Sequence, residues 1–174
     1  HTTRDDQRAI RDTRYAIREL ARDLIDSACV RFGQFTLKSG AVSPIYLDLR
    51  QLVSRPAILR RAARAYAGKL AGLTFDRLAG IPYAALPIAT AIALEMNRPL
   101  IYPRRETKDY GTRATIEGEF AAGETVVVID DLATTGSTKI SAIRKLESAG
   151  LIARDVMVLM VYRDRERNVQ GQLA

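Results

Sequence analysis

The chain has 174 residues, of which 47% are hydrophobic and 27% charged, and its formal net charge is +7. This length and composition are typical of a single globular domain with a full hydrophobic core, which we predict for residues 1–174. No apolar run approaches the roughly 18 residues of a membrane-spanning helix, and the polar N-terminus lacks an apolar signal-peptide core. The first residue is His1 and not Met, which indicates a tag remnant or a fragment. Because no apolar run is long enough for a membrane-spanning helix, we expect no membrane partner.

The excess of positive charge raises the question of a nucleic acid partner. However, the Arg and Lys residues are dispersed along the chain, and aromatic residues are not interleaved with them as in single-strand binders. An anionic small substrate and solvated arginine-rich faces together account for the charge. We therefore predict that the protein binds no nucleic acid.

The chain contains one cysteine, Cys29, and one histidine, His1. These counts exclude a disulfide framework, a His/Cys metal cage and a Ser-His or Cys-His nucleophile system. We place Cys29 on an apolar helix face, where it fills the core. A lone thiol of this kind fits the reducing cytoplasm, which is the expected location of the protein.

Hydrophobic periodicity predicts a first helix over Tyr15–Val30, preceded by a polar N-terminal extension of about residues 1–14. Two strands follow, Phe35–Leu37 and Ile45–Leu49, joined by a turn of Ser, Gly and Pro. Lys38 lies at this turn. From the local sequence alone, a solvated hairpin charge is the default interpretation of that lysine.

A second helix is predicted from Ser54 as N-cap and Pro56 in the first turn, and it ends near Gly72. The pattern then predicts a strand, a turn, a third helix and a strand: Phe75–Gly80, 81–87, Ile88–Met96 and Leu100–Tyr102.

The segment Pro103–Gly118 shows no sustained periodicity and contains several Arg and Lys residues. It is long for a connection without regular structure, which favours a functional loop over a charged exposed hairpin. A strand beginning at Glu117–Phe120 is expected to lead into the next apolar run.

The stretch Val126–Lys139, VVVIDDLATTGSTK, is the most informative in the chain. Its apolar β-formers predict a strand buried on both faces, as in a parallel sheet, with a ligand at the carboxyl end. Two adjacent acids in that position repel each other and gain no core packing, so we expect them to hold a diol, a metal-bound water or a cation. The hydroxyls that follow suit a phosphate at a helix N-terminus, although Ser137 or Thr138 as a simple N-cap is the alternative. No G-x-x-x-x-G-K-[ST] pattern is present, which excludes a Walker loop.

A fourth helix is predicted over Thr138–Ala149, with Gly150 at C′, and a further buried strand over Asp155–Tyr162. Because helices alternate with apolar strands, we predict an α/β fold with a mostly parallel central sheet flanked by helices.

The acidic turn resembles the motif that binds 5-phosphoribosyl 1-diphosphate (PRPP) in type I phosphoribosyltransferases. Six stretches together resemble the orotate phosphoribosyltransferases, above all the corresponding domain of bifunctional UMP synthases: FGQFTLKSG, SPIYLDLR, GIPYAALPIAT, RRETKDYGT, VVVIDDLATTGST and DRE. The resemblance runs from about Leu20 to Ala174. It implies the type I phosphoribosyltransferase fold, with an N-terminal hood region and a mobile catalytic loop.

The resemblance also implies a reaction. Family members transfer ribose 5-phosphate from PRPP to orotate in de novo UMP biosynthesis, giving orotidine 5′-monophosphate and diphosphate, with Mg²⁺ as cofactor. They are homodimers that share the catalytic loop across the interface. The alternatives are a salvage phosphoribosyltransferase and a PRPP-binding regulator without activity, which should lack Lys38 and the basic loop or carry a nucleic-acid-binding extension.

The resemblance assigns roles to residues around both substrates. Asp130 and Asp131 hold the ribose hydroxyls and, through PRPP and water, Mg²⁺. The turn around the 5′-phosphate comprises Leu132, Ala133, Thr134, Thr135, Gly136, Ser137 and Thr138. The loop residues Arg104, Arg105, Lys108 and Tyr110 contact the diphosphate. The backbone of residues 81–85, which include Tyr83 and Ala84, contacts it as well. The orotate ligands are Lys38, Tyr46, Thr134 and Arg165, and the catalytic residues are Lys38, Lys108 and Asp131.

Four departures from the family pattern affect these assignments. Tyr110 replaces the usual loop histidine, and Ala84-Ala85 offers no lysine, as in the UMP synthase type. Arg163 competes with Arg165 as the residue that grips the orotate carboxylate. The family normally continues through another strand and helix after the position of Ala174, so we expect those elements to be missing.

Overall fold

The computed structural model describes residues 4–37, 40–105, 115–134 and 136–162, with side chains from Tyr15 onward. Its helices are α1 (Arg4–Asp26), α2 (Pro56–Leu70), α3 (Ala85–Met96) and α4 (Ser137–Ser148), with a 3₁₀ helix at Leu49–Ser54. Its strands are β1 (Val30–Thr36), β2 (Val42–Leu47), β3 (Arg77–Gly80), β4 (Leu100–Pro103), β5 (Ile116–Glu117), β6 (Thr125–Ala133) and β7 (Ile152–Val161).

Within the described residues, five strands form the central sheet in the order β5-β4-β3-β6-β7. The pairs β3–β4, β3–β6 and β6–β7 are parallel, and the short edge strand β5 is antiparallel to β4. The predicted mostly parallel α/β sheet is therefore confirmed. Strands β1 and β2 form a separate antiparallel hairpin between α1 and the 3₁₀ helix.

Alternate residues of β6 point into two different apolar clusters. Val127 and Ile129 pack with residues of α1, α2 and α3 on one face of the sheet. Val126 and Val128 pack with Ala142 and other residues of α4 on the opposite face. All four β6 side chains are buried, which explains why the strand is a continuous apolar run and does not alternate with polar residues.

The N-terminal boundaries differ from those predicted. Helix α1 begins at Arg4, within the predicted polar extension, because Arg, Gln and Ala are good helix formers. It ends at Asp26, since Ala28 adopts a left-handed conformation with φ of 59°. Cys29 therefore lies in a turn and not on a helix face, although it is fully buried as expected. Strand β1 starts at Val30, five residues before Phe35.

Helix α2 starts at Pro56, which lies in its first turn as predicted, but its N-cap is Arg55. Ser54, the predicted N-cap, is the last residue of the 3₁₀ helix. Helix α3 begins at Ala85, three residues before Ile88, because a proline is tolerated in a first turn, where no intrahelical partner exists for its nitrogen.

The predicted strand Glu117–Phe120 is wrong after its first residue. Gly118 has a φ of +95°, and a Cβ atom there would lie 2.9 Å from Ile101 Cγ2. The chain therefore turns away from the sheet after β5. The last strand is longer than predicted: β7 starts at Ile152, three residues before Asp155. In the described part of the chain, no helix is long and apolar enough to cross a membrane.

Candidate functional site

The carboxyl ends of β3, β4 and β6 meet at one edge of the sheet. Gly80 pairs with Ile129, and Ile81 donates its amide hydrogen to the Ile129 carbonyl over 3.0 Å. The turn after β3 therefore lies beside the acids of β6. A cleft of about 440 Å³ opens here, lined by Ile81, Pro82, Pro103, Arg104, Arg105, Ser137, Thr138, Ser141, Ala142 and Lys145. This is the edge at which open α/β sheets bind ligands.

Asp130 is held by three groups of the protein. One carboxylate oxygen, Oδ2, lies 2.6 Å from the Lys139 ammonium, and the other, Oδ1, accepts the Asp131 amide hydrogen over 3.0 Å. Its carbonyl accepts a hydrogen bond from the Tyr66 hydroxyl over 2.6 Å. Only 6% of the residue is exposed. Asp130 is therefore an ion-paired group fixed to the body of the protein.

Asp131 has a different environment. It is half-buried, and Oδ1 accepts the Leu132 amide hydrogen over 2.9 Å. Burial raises the pKa of Asp131 to about 6, with further contributions from the hydrogen bond and negative charge of Asp130. The pKa of Tyr66 is also raised, by burial first and then by the charges of Asp131 and Asp130, so its hydroxyl stays a donor. Asp131 is thus the acid of the pair that reaches the solvent edge.

The turn after the acids ends at Gly136, which has a φ of +81° and precedes α4 as its N-cap. A Cβ atom at Gly136 would meet nothing within 4 Å, so the glycine is needed for its backbone conformation and not for space. Ser137 and Thr138 are the first residues of the helix, and the alternative that one of them is the N-cap is therefore wrong. The amides of this first turn are a suitable site for a phosphate.

The residues that flank the segment 106–114 are held by hydrogen bonds and an ion pair. Arg104 forms an ion pair with Glu117, and its amide donates to the Thr115 carbonyl over 2.8 Å. Lys145 of α4 donates to the carbonyls of Arg104 and Arg105, over 2.7 and 3.2 Å. Lys145 therefore links Arg104 and Arg105, which precede that segment, to α4.

Arg105 also contacts the turn after β3. Its guanidinium lies 5.7 Å from the centre of the Tyr83 ring, and the peptide bond before Tyr83 is cis. Ala84 follows as the residue before α3. The predicted diphosphate residues that the structure describes, Arg104, Arg105, Tyr83 and Ala84, are thus brought to the same edge as the acids.

Tyr46 lies on the β1–β2 hairpin. Its ring centre is 5.5 Å from that of Phe35 and 4.9 Å from the Arg31 guanidinium. The hairpin is joined to the central sheet by a hydrogen bond of 3.1 Å between the hydroxyls of Ser43 and Tyr162. Because Tyr162 directly follows β7, the bond links the hairpin of Tyr46 to the start of the segment that contains both candidate arginines.

Six of the predicted site residues lie outside the described residues: Lys38, Lys108, Tyr110, Thr135, Arg163 and Arg165. Their predicted roles stay predictions.

A family model described as "Phosphoribosyl transferase domain" matches residues 48–169. Among curated relatives, the orotate phosphoribosyltransferase of Pyrococcus furiosus is 38% identical over 154 residues, which cover 87% of this chain and 83% of the relative. The bifunctional enzyme PyrF/PyrE of Nostoc sp. is 44% identical over 159 residues, covering 91% of this chain and 33% of the relative.

The chain belongs to the phosphoribosyltransferase family, in its orotate phosphoribosyltransferase group.

Solved structures agree with this membership. The structure of Leishmania donovani UMP synthase superposes with a TM-score of 0.77 at 56% identity, covering 90% of this chain and 34% of that chain. The orotate phosphoribosyltransferase from Aeropyrum pernix superposes with a TM-score of 0.73 at 30% identity, with 88% of each chain covered. The predicted type I phosphoribosyltransferase fold is confirmed. This chain spans about a third of the length of the Nostoc bifunctional enzyme and of the Leishmania donovani UMP synthase.

The donor atoms at the edge of the sheet fit the Mg²⁺ that the family implies. Asp131 offers a half-buried carboxylate, a hard oxygen ligand of the kind Mg²⁺ prefers. Within residues 15–37, 40–105, 115–134 and 136–162, no three His, Cys, Asp or Glu side chains cluster as a metal site.

Three residues of this phosphoribosyltransferase site were missed by sequence reasoning about function: Tyr66, Lys139 and Lys145. The signal for Lys139 was a cation in the first turn of a helix, where the macrodipole disfavours positive charge unless an acid compensates it. The signal for Tyr66 is that a tyrosine on the buried side of a helix needs a polar partner for its hydroxyl. No local signal marks Lys145, because its partners lie about 40 residues away.

Proposed function

We propose that the protein is an orotate phosphoribosyltransferase, which transfers ribose 5-phosphate from PRPP to N1 of orotate and releases diphosphate. The observation that carries the proposal is the placement of Asp131 and the first turn of α4 on either side of one short glycine turn. A carboxylate and a helix N-terminus that are separated by one short turn suit the hydroxyls and the 5′-phosphate of one ribose phosphate. Family membership adds the orotate as acceptor.

In this proposal PRPP, the phosphoribosyl donor, lies along the edge of the sheet formed by the carboxyl ends of the strands. Asp131, with Asp130 behind it, accepts hydrogen bonds from the ribose hydroxyls. The 5′-phosphate is held by the turn that follows: Leu132, Ala133, Thr134, Thr135, Gly136, Ser137 and Thr138. The backbone of Tyr83 and Ala84 and the side chains of Arg104, Arg105, Lys108 and Tyr110 meet the diphosphate.

These residues supply positioning and electrostatic stabilisation. Breaking the bond between the anomeric carbon and the diphosphate oxygen builds oxocarbenium character on the ribose and negative charge on the leaving group. The basic loop residues stabilise that charge, and a loop closed over it excludes water. Asp130 and Asp131 would hold Mg²⁺ indirectly, and the ion would supply further neutralisation of the charge on the diphosphate.

The acceptor site is proposed at Lys38, Tyr46, Thr134 and Arg165, with Arg163 as the competing carboxylate ligand. The bond between Ser43 and Tyr162 supports this arrangement, since it ties the hairpin of Tyr46 to the end of β7. We also propose a homodimer that shares the loop containing Lys108 across its interface, and a location in the cytoplasm.

The decisive experiment follows the absorbance of orotate after addition of PRPP and Mg²⁺. The proposal requires that orotate disappears and diphosphate appears in equal amounts. Unchanged orotate, with adenine or uracil consumed under the same conditions, overturns it in favour of a salvage enzyme. Binding of PRPP with no acceptor consumed indicates the regulatory alternative.

A further inference from the structure

Lys139 forms an unusually well-enclosed contact at the proposed donor site. Its ammonium lies 2.6 Å from Asp130 Oδ2, and the two side chains are 11% and 8% exposed. The same ammonium donates a hydrogen bond to the Leu132 carbonyl. Both contacts cross the turn, because Lys139 belongs to the first turn of α4 and its partners belong to β6.

Stability of the helix alone does not explain a lysine at this position. A cation in the first helical turn is repelled by the positive end of the macrodipole, and burying an ammonium is costly unless it is paired and hydrogen-bonded. Among the residues that the structure describes, Asp130 and Leu132 are the partners through which Lys139 meets both conditions. The side chain therefore serves the connection between the end of the strand and the start of the helix.

The connection joins the two halves of the proposed donor site. On one side, Asp130 is also held by the Tyr66 hydroxyl and by the Asp131 amide, so its position fixes that of Asp131. On the other side, Lys139 follows directly on Ser137 and Thr138, which begin the first turn of α4, the proposed site of the 5′-phosphate. The ion pair thus sets the separation between the group that holds the ribose hydroxyls and the group that holds the 5′-phosphate.

We propose that Lys139 is a positioning residue for the phosphoribosyl donor, acting through its ion pair with Asp130 and its bond to the Leu132 carbonyl. Direct binding of the donor phosphate by Lys139 is disfavoured by the geometry, since its ammonium is directed at two acceptors of the protein beneath the turn. The inference rests on the proposed function only in taking PRPP as the donor.

The test compares a ligand that spans both halves of the site with one that occupies a single half. In Lys139→Met, we expect the affinity for PRPP with Mg²⁺, measured by calorimetry, to fall about 10- to 100-fold, which is within the range of coupling between residues of one ion-pair network. The affinity for inorganic phosphate, which needs only the turn, should change by less than about threefold. Lys139→Arg, which keeps the charge and can bond both acceptors, should recover most of the PRPP affinity.

Two further variants keep the test decisive. Lys69→Met removes an exposed lysine from the last turn of α2 and should leave both affinities unchanged. Asp130→Asn combined with Lys139→Met leaves no unpaired buried charge, so it answers the question if the single variant fails to fold. This double variant should fold and bind PRPP no more weakly than Asp130→Asn alone, because Lys139 acts through Asp130 and adds nothing once that carboxylate is replaced.

Other outcomes overturn the inference. Equal losses for phosphate and PRPP show that Lys139 is a phosphate ligand. Full PRPP affinity in folded Lys139→Met, or in the double variant, shows that the ion pair only stabilises the fold. If the wild-type chain binds PRPP but leaves orotate unchanged, the proposed function is wrong. The inference about Lys139 is then still decided by the PRPP and phosphate affinities of the variants. A wild-type chain that binds no PRPP overturns both.

Discussion

The hydroxyl of Tyr66 donates a hydrogen bond of 2.6 Å to the carbonyl of Asp130, 64 residues further along the chain. Tyr66 lies on the buried side of α2, so the bond fixes the acid-bearing end of β6 to the helical layer behind the sheet. Tyr66 therefore fixes the backbone of Asp130, and Lys139 fixes its carboxylate. The acids of the proposed donor site are presented from a rigid strand and not from a loop.

Tyr66→Phe should therefore weaken both the fold and the site. The Asp130 carbonyl loses its partner, which costs about 1–2 kcal/mol of unfolding free energy and lowers the melting temperature by about 2–8 °C. We also expect a several-fold higher KM for PRPP. Tyr15→Phe is the matched control, since Tyr15 is 66% exposed and far in sequence from the acids. An unchanged KM in a destabilised Tyr66→Phe protein contradicts the link between this bond and the donor site.

The raised pKa of Asp131 predicts a pH-dependent cost to stability. A carboxyl group whose pKa is about 6 in the folded protein and near 4 in the unfolded chain binds its proton more tightly when folded. This difference stabilises the folded protein fully below pH 4, and the stabilisation is lost as the pH rises through 6. Asp131→Asn removes this loss, so the variant should gain stability relative to wild type between pH 4 and pH 7, by no more than about 2 kcal/mol because solvent screens a half-buried carboxylate. Urea unfolding at both pH values measures the difference.

Asp76 provides a control of opposite sign for that experiment. Hydrogen bonds from the backbone amide and the hydroxyl of Thr125 lower the pKa of Asp76, so its contribution is present above pH 4 and lost as the pH falls through its folded pKa. Asp76→Asn should therefore lose stability relative to wild type as the pH rises from the folded pKa to neutrality. The same trend in both variants contradicts the assignment of the raised pKa to Asp131.

The sequence predicted the centre of this site better than its supports. The apolar run of β6 was predictable because a strand buried on both faces needs no polar alternation, and the acids after it have no packing role. The end of α1 was not, since the left-handed backbone at Ala28 carries no glycine signal. The partners of Lys139 and Tyr66 depend on how α2 and α4 pack against β6. Contacts of that kind have no local pattern in the sequence.

The bond between Ser43 and Tyr162 predicts an effect on the acceptor and not on the donor. It joins residues 119 positions apart and links the hairpin of Tyr46 to the end of β7. Tyr162→Phe should raise the KM for orotate several-fold, while the Kd for PRPP stays within about twofold, because the acids and the phosphate turn keep their own supports. Ser43→Ala should have a similar effect, and the double variant should be no worse than either single one. Additive losses show that the two hydroxyls act separately.

Lys108→Ala tests the proposed role of the basic loop. If Lys108 acts on the charge that develops on the leaving diphosphate, its loss should lower kcat by about 100-fold or more and change the Kd for PRPP by only a few-fold. Single-turnover rates and calorimetric PRPP binding separate the two quantities. Lys69→Ala is the control for loss of a lysine, since Lys69 lies on the exposed side of α2. Equal losses in kcat and in PRPP affinity mean that Lys108 binds the ground state and the transition state alike, and they assign it to donor binding instead of catalysis.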